Sequence, residues 1–425
     1  MSVPIVVGLG LALGWINLVV AVLATLAIIV DALKDLYQVL SLKPLEIQRK
    51  VTESLPVNRW VNVRLKIRNP NSHSVNADVY DHVPTTFKAQ TGIRVRLQAH
   101  QTLNLDYQTL PQQRGDAEFG HTEYWLQSKN WLRRLYNPQS TVVRIYPDFN
   151  AAQKTVLSMV DSKLQATLRK RRRGDGTDFL QLREYRVGDA MKNIAWKTSA
   201  RHQKLITKEY QDSRDQQFIL MVDCGRYMRH ADSDNEPDRT VTPLTHLDHS
   251  LNACIVLSQI ALQQGDAVGC YTFGGTERWV PPKKGHGQIH ALLRNLYDIQ
   301  SRLTASDYIV TAEALLKRQR KRSVVIIITN TRDEQVELQH AVALLRRKHL
   351  VVIANLREAF VDTILQTPVV TLEDAQLFNA TVQYQQHRQS LQQSLKRYTP
   401  YVSDVIAQHL PATLATQYFK VKAES

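Results

Sequence analysis

The chain has 425 residues, with 54 Lys and Arg against 39 Asp and Glu, a net charge of +15 with neutral histidines. Hydrophobic residues at 43% and charged residues at 22% exclude intrinsic disorder, collagen-like repeats and polytopic membrane bundles, and the length calls for two or three domains. Cys224, Cys254 and Cys270 form no C-x-x-C pair, so neither a zinc ribbon nor a redox motif is expected and a reduced setting is the simplest.

Val3 to Val30 reads VPIVVGLGLALGWINLVVAVLATLAIIV, without a charged side chain. As a helix it reaches roughly 40 Å, more than the ~30 Å hydrocarbon core of a bilayer. Residues 1–43 are therefore expected to hold one transmembrane helix and a juxtamembrane helix. No Lys or Arg precedes Lys34, which argues against a secretory signal peptide. Lys34, Lys43, Arg49 and Lys50 follow the run. The positive-inside rule then gives a single-pass inner-membrane protein with its large C-terminal body in the cytoplasm. The excess positive charge suits anionic headgroups, with nucleic acid as the rival explanation.

Residues 44–149 contain short segments that alternate apolar and polar residues: LEIQRKVT, WVNVRLKIR, VNADVYD, GIRVRLQ, TLNLDYQ, HTEYWLQ and TVVRIYP. Their two-residue period and the turn chemistry between them predict an all-β, immunoglobulin-like sandwich. Residues 150–216 form a linker and signature segment. Val156, Val160, Leu164 and Leu168 fall on one helical face that runs into Arg169-Lys170-Arg171-Arg172-Arg173, a cluster suited to phosphate, headgroups or an acidic partner.

Residues 217–425 change to alternating β and α elements. The apolar runs Gln217–Asp223, Ala267–Phe273, Ser323–Thr329 and Leu350–Leu356 are expected as strands buried on both faces. Helices are expected over Leu247–Gln264, Gln288–Gln300, Tyr308–Lys321 and Asp333–Lys348, with a mostly helical tail from Leu372 to Tyr418. A doubly wound α/β sheet follows, its ligand site beyond the strand carboxyl ends, at Asp223, Gly274 and Asn330.

The most distinctive stretch is residues 171–210. Gly176-Thr177-Asp178-Phe179, Leu182-Arg183-Glu184-Tyr185, Gly188-Asp189, Ile194-Ala195-Trp196-Lys197 and Ala200-Arg201 closely resemble the signature of the domain of unknown function 58 family. The resemblance implies a membrane segment, a β-sandwich and a von Willebrand factor A-like domain. It also implies a MoxR-type AAA+ ATPase as partner, since such ATPases are commonly encoded beside relatives. Many relatives carry two adjacent membrane helices, whereas this chain has room for one full span or at most a tight hairpin.

A von Willebrand A domain holds Mg²⁺ with an Asp-x-Ser-x-Ser motif after its first strand, a Thr and a further Asp. Here Asp223 matches while Gly225 and Tyr227 replace the serines. Asn330 stands at the later acidic position, with Asp333 beyond it, and Thr240, Thr242 and Thr245 compete for the threonine role. A degenerate site with no resident cofactor is expected; Asp223 then caps neighbouring backbone N–H groups.

Asp178, Glu184, Asp189 and Lys197, with Arg183 and Arg201 nearby, raise a metal-dependent hydrolase as an alternative, but ion pairs and loop caps are the simpler use of these charges. Trp196 is expected to plug an apolar interface beside Ile194 and Ala195. No Gly-x-Ser-x-Gly, nucleotide-binding loop or His-Glu-x-x-His occurs. The expectation is a non-enzymatic, membrane-anchored adaptor, with a basic nucleic-acid binder as the alternative from another class.

Overall fold

The computed structural model describes residues 3–89, 92–129, 131–148, 178–186, 189, 191–211, 216–232, 242–331 and 336–424. The side chains of residues 3–19, 178–181, 192 and 209–211 lie outside that set. The helix expected around Val156–Leu168 and the basic run through Arg171, Arg172 and Arg173 also fall outside it. The chain divides into two compact units, Met1–Tyr146 and Pro147–Ser425.

The first unit opens with α1 (Val3–Ser41) and continues through β1 (Glu46–Lys50), β2 (Ser54–Pro56), β3 (Val61–Arg68), β4 (Val75–Asp81), β5 (Phe87–Ala89), β6 (Gly92–Leu97), β7 (Thr102–Pro111), β8 (Gly115–Phe119), β9 (Thr122–Gln127), β10 (Leu132–Asn137) and β11 (Thr141–Tyr146). The strands order as β1-β3-β7-β5, β10-β9-β4-β6 and β2-β11-β8. Period-two patterning explains the long ones. β3 buries Val63, Leu65 and Ile67 while Asn62, Arg64 and Lys66 face solvent, and β4 buries Val75, Ala77 and Val79. The four strands absent from the sequence reading lack that signal. β2 and β5 have three residues each, β8 starts at the positive-φ Gly115, and β10 buries none of its residues.

Between the sheets, Arg49 of β1 and Asp81 of β4 form an ion pair whose side chains are 1% exposed. Asp81 also accepts from Tyr107 Oη (2.5 Å) and Thr122 Oγ1 (3.1 Å), and Arg49 donates to the Gly120 carbonyl (2.8 Å) over the Phe119 ring. Burial, reinforced by Asp81, pushes the Tyr107 hydroxyl pKa far up. The C-terminal end of α1 is capped by Arg133, whose guanidinium donates to the carbonyls of Val39, Leu40 and Leu42 at 3.3, 2.8 and 2.9 Å. Among the described residues, no helix is long and apolar enough to cross a membrane.

The second unit contains β12 (Asp178–Glu184), α2 (Trp196–His202), β13 (Ile206–Gln211), β14 (Gln217–Asp223), α3 (His246–Gln263), β15 (Ala267–Phe273), β16 (Arg278–Lys283), α4 (Gly287–Leu296), α5 (Tyr308–Arg318), β17 (Val324–Thr329), α6 (Val336–Arg346), β18 (Leu350–Arg357), α7 (Phe360–Gln366), α8 (Leu372–Lys396), β19 (Val402–Ile406) and α9 (Leu410–Glu424). β12 and β13 form an antiparallel pair. The remaining described strands form a sheet ordered β16-β15-β14-β17-β18-β19, parallel except for β16. In β14, Phe218, Leu220 and Val222 pack with α3, α4 and α9 on one face; Ile219 and Met221 pack with α5, α6 and α8 on the other. Burial on both faces is why the strand reads as a continuous apolar run.

Two edge strands depart from the sequence expectation. β16 carries Pro281 and Pro282, which an edge tolerates because one side needs no ladder hydrogen bonds. β19 interrupts the tail expected to be helical. Its five residues pair in parallel with β18, a non-local contact that its short, half-buried pattern does not announce.

Replacing Asp81 by Ala leaves Arg49 as an uncompensated buried charge. The substitution is expected to destabilise the first unit by about 3–5 kcal/mol, read as a lower denaturant midpoint in Trp fluorescence, whereas Asp106→Ala, at the exposed Arg64 pair, is expected to leave that midpoint nearly unchanged.

Candidate functional site

The chain leaves β14 for β15 on one side and reaches β17 on the other, so the strand order reverses at β14 and a crevice opens beyond its carboxyl end. Asp223, the last residue of that strand, is 3% exposed. Its Oδ1 accepts from the Gly225 backbone N–H at 2.8 Å and from Ser306 Oγ at 2.5 Å. Its Oδ2 accepts from Thr329 Oγ1 at 2.6 Å and Tyr308 Oη at 3.2 Å. Ser306 and Tyr308 are brought in by α5, whose N-terminus is capped by the Asp307 carboxylate accepting from Val310 N–H at 3.0 Å. Thr329 ends β17. Burial raises the pKa of Asp223, and the hydroxyls of Ser306, Thr329 and Tyr308 with the Gly225 N–H draw it back only in part. The same environment pushes the Tyr308 hydroxyl far up, burial first and Asp223 second.

Two glycines make room for this cluster. A Cβ on Gly225 would lie 2.3 Å from Ser306 Oγ, and one on Gly274, whose φ is +74°, would lie 2.2 Å from the same atom. Beside Asp223 lies a cleft of about 330 Å³ lined by Arg226, Tyr227, Ser306, Tyr308, Val336 and Glu337. Arg226 donates to Tyr227 Oη at 2.9 Å and its guanidinium carbon sits 4.7 Å from the centre of that ring.

The residue types expected around Asp223 do not assemble into an adhesion-type Mg²⁺ site. Gly225 contributes its backbone N–H, and Tyr227 lines the cleft. Asn330 is buried elsewhere, its amide nitrogen 3.1 Å from Glu358 Oε1 and 3.2 Å from His246 Nδ1. Thr245 forms a capping box with Asp248 at the start of α3, and Thr242 is exposed. Thr240 and Asp333 lie outside the described residues. Asp223 is instead surrounded by the hydroxyls of Ser306, Tyr308 and Thr329 and the Gly225 N–H, contacts that satisfy its oxygens within the protein. Ser306, Tyr308 and Thr329 escaped the sequence reading. Ser306-Asp307-Tyr308 reads only as a helix cap, and Thr329 only as the end of an apolar strand.

The signature segment folds locally. Arg183 grips Asp189 through two bonds of 2.7 and 2.8 Å, and Asp189 also accepts from the Arg186 N–H at 2.9 Å; together they hold its carboxyl below the usual range. The Glu184 carboxylate meets Lys204 at the surface instead, so two of the three carboxylates weighed for a hydrolase, Glu184 and Asp189, are engaged with cations of their own segment. Ile194 and Ala195 are buried, and Ser199 Oγ accepts from the Ile206 N–H at 2.9 Å, closing α2 onto β13. Trp196 is 66% exposed rather than plugged into an apolar interface. It occupies the first position of α2, one residue past the buried Ala195. Tyr185 is half-buried, and Lys197 and Arg201 are exposed; Gly176 and Gly188, with the side chains of Asp178 and Phe179, lie outside the described residues.

Residues 181–399, just over half of the chain, match the family described as protein of unknown function DUF58; the chain belongs to that family. A stretch of 115 residues is 28% identical to the uncharacterized protein YeaD of Bacillus subtilis, covering 27% of this chain and 25% of that protein. The chain thus spans about a quarter of the length of this curated relative. Solved structures with similarity to 24% of the chain include native Escherichia coli alpha-2-macroglobulin from domain MG7 to its C-terminus, at 13% identity, TM-score 0.22 and 17% of that chain. Another is the PapD-like domain 7 of human CEP192, at 14% identity, TM-score 0.19 and 88% of that chain.

Asp223→Ala strips four buried donors of their acceptor and is expected to cost the second unit about 3 kcal/mol or more, whereas Ser306→Ala removes a single bond and is expected to cost about 1 kcal/mol. Denaturant unfolding of the two variants checks this ordering.

Proposed function

We propose that the chain is a membrane-anchored, non-enzymatic interaction protein, with a sandwich-like spacer followed by a von Willebrand factor A-like unit that engages a MoxR-type AAA+ ATPase in the cytoplasm. The observation that carries the anchor is the surface of α1. Over its described side chains, Val20, Leu23, Leu26, Ile28, Ile29 and Leu33 are 54–69% exposed. An apolar helix surface of this extent calls for lipid or a partner. The described side chains alone do not make a span; the anchor rests on the whole uncharged run from Val3 to Val30, whose length suffices for one crossing.

Where the apolar run gives way to Asp31, Lys34 and Asp35, Tyr37 and Trp131 are 76% and 43% exposed, and the Trp131 indole donates to the Ala32 carbonyl at 3.0 Å. Amphipathic rings at such a position suit the headgroup layer. The net charge of +15 favours an anionic leaflet beside the body. The non-enzymatic reading is supported by Asp223, whose oxygens are taken by four donors of the protein itself, and by the pairing of Asp189 with Arg183. The ATPase partner rests on the family resemblance carried by Arg183, Glu184, Asp189, Trp196 and Lys197. The exposed Trp196 is a suitable contact for it, since aromatic residues dominate interface energetics.

Full-length protein is expected to stay in the membrane pellet through alkaline carbonate, and a chain lacking residues 1–41 to be released; release of the full-length protein overturns the anchor. Detergent-solubilised full-length protein is expected to retain a MoxR-type ATPase in pull-downs, several-fold less with Trp196→Ala. Failure to retain any such ATPase, with or without nucleotide, removes the partner.

A further inference from the structure

A second group of chemistry-bearing residues lies at the carboxyl ends of the sheet, none of which lines the cleft beside Asp223. His230 follows the helical turn Arg226–Arg229, Asp232 stands two residues later, and His246 is the first residue of α3. Two backbone contacts hold these segments together: the His246 N–H donates to the His230 carbonyl at 2.7 Å, and Ala231 forms a β-bridge with Thr245. His230 Nε2 is 3.2 Å from Asp232 Oδ1 and His246 Nε2 is 3.5 Å from Asp232 Oδ2; one ligand atom from each residue lies within 4.8 Å of the others.

From this convergence we propose that His230, Asp232 and His246 form a binding site for one divalent transition-metal ion of the zinc type. Two imidazoles and a carboxylate are the donor chemistry of that class. Tetrahedral bonds of about 2.0–2.1 Å separate donors by about 3.3 Å, so the observed spacing needs only small side-chain shifts to close around an ion. Independent support comes from His246. It is fully buried, yet its Nε2 makes no hydrogen bond despite the nearby carboxylate. Such an orphan is costly unless something fills its place.

The surroundings have the form of a supporting shell. Asp232 Oδ1 accepts from the Ala359 N–H at 2.9 Å. Asn330 reaches His246 Nδ1, and its own Oδ1 is the other buried atom here without a partner. A metal on Nε2 leaves the ring proton on Nδ1. Turning the Asn330 amide then offers Oδ1 to that proton, at the expense of the contact with Glu358 Oε1, while Glu358 Oε2 keeps the Tyr384 hydroxyl at 2.7 Å. The His230 side chain is 26% exposed, which gives an ion access from solvent and leaves room for water as the fourth ligand. The other histidine-rich cluster, His82, His121 and Glu123, is less suited, because Arg134 already pairs with Glu123 and places a cation against it.

The proposal does not depend on the partner or the membrane anchor. It is tested on full-length, detergent-solubilised protein stripped with a chelator and titrated with ZnCl₂ by calorimetry and with CoCl₂ by visible absorption. One equivalent is expected to bind stoichiometrically at micromolar protein, with the intense d–d bands of four-coordinate cobalt. His230→Ala and Asp232→Asn are each expected to weaken binding about 100-fold or more and to abolish the bands, Asn330→Ala about 10–100-fold, and His121→Ala not at all. Because His246→Ala empties a buried position, the half-exposed His230 is the decisive variant, with its fold verified by circular dichroism. Absence of binding in the native protein, or undiminished binding and unchanged cobalt bands in the His230→Ala/Asp232→Asn double variant, overturns the assignment.

Discussion

A carboxylate carried into the dry end of a parallel sheet must find partners for its oxygens, and Asp223 finds them in the Gly225 backbone and in three hydroxyls from Ser306, Tyr308 and Thr329. Those donors come from the turn after β14, the approach to α5, the first residue of α5 and the end of β17, so one buried charge sets the relative placement of β14, α5 and β17. The Tyr308 hydroxyl also lies 2.8 Å from Thr329 Oγ1, which makes the donors a connected network. Gly225 and Gly274 are the steric counterpart. Any side chain there would occupy the space of Ser306 Oγ, and Gly274 also adopts a positive φ that favours glycine. The walls of the adjoining cleft are therefore consequences of how Asp223 is satisfied.

The first unit solves a similar problem differently. Asp81 is as buried as Asp223 but meets a guanidinium, with Tyr107 and Thr122 completing its shell. A cation partner neutralises the charge on the spot, whereas neutral hydroxyls only solvate it. Burial accordingly raises the pKa of Asp223. In both units the polar centre lies among strands that bury mostly apolar side chains, aromatic and aliphatic, where an unmatched charge is most expensive.

Much of this architecture was legible in the sequence where a single periodicity governed a long segment. Gln217–Asp223 and Ala267–Phe273 were readable to the residue because both faces are buried, so no polar position blurs their ends. The helix read over Leu247–Gln264 is offset by one residue from α3 for a local reason: its Thr245–Asp248 capping box starts the helix at His246. β10 was illegible because it buries none of its residues, and β19 because its five residues carry no clean alternation and owe their conformation to pairing with β18. At the site, Asp223 stood out as an acid after an apolar strand. Its true partners did not, because Ser306 and Thr329 lie 83 and 106 residues away and hydroxyl side chains carry no pattern of their own. Trp196 shows the converse case: the apolar neighbourhood Ile194-Ala195-Trp196 straddles a helix start, and within the chain two of its residues are buried while the third is exposed.

The end of α1 shows how distant contacts give a function to residues that look unremarkable in the sequence. The last turn of the helix contains no basic residue of its own, so its terminal carbonyls would be left to water. Arg133 from β10 supplies the missing donors, while Trp131 binds the Ala32 carbonyl, Lys129 meets Asp31 at 2.9 Å and Ser128 bonds Asp35. Three of these residues lie in the connection from β9 to β10 and Arg133 at the start of β10. Together they tie the last three turns of α1 to a hairpin rather than leaving the helix on a flexible tether. If α1 is the anchor, its direction on leaving the bilayer is thereby coupled to the sheet that contains β9 and β10. The same hairpin would hold Trp131 and Lys129 at the depth where an indole and a cation are best accommodated, beside the headgroups.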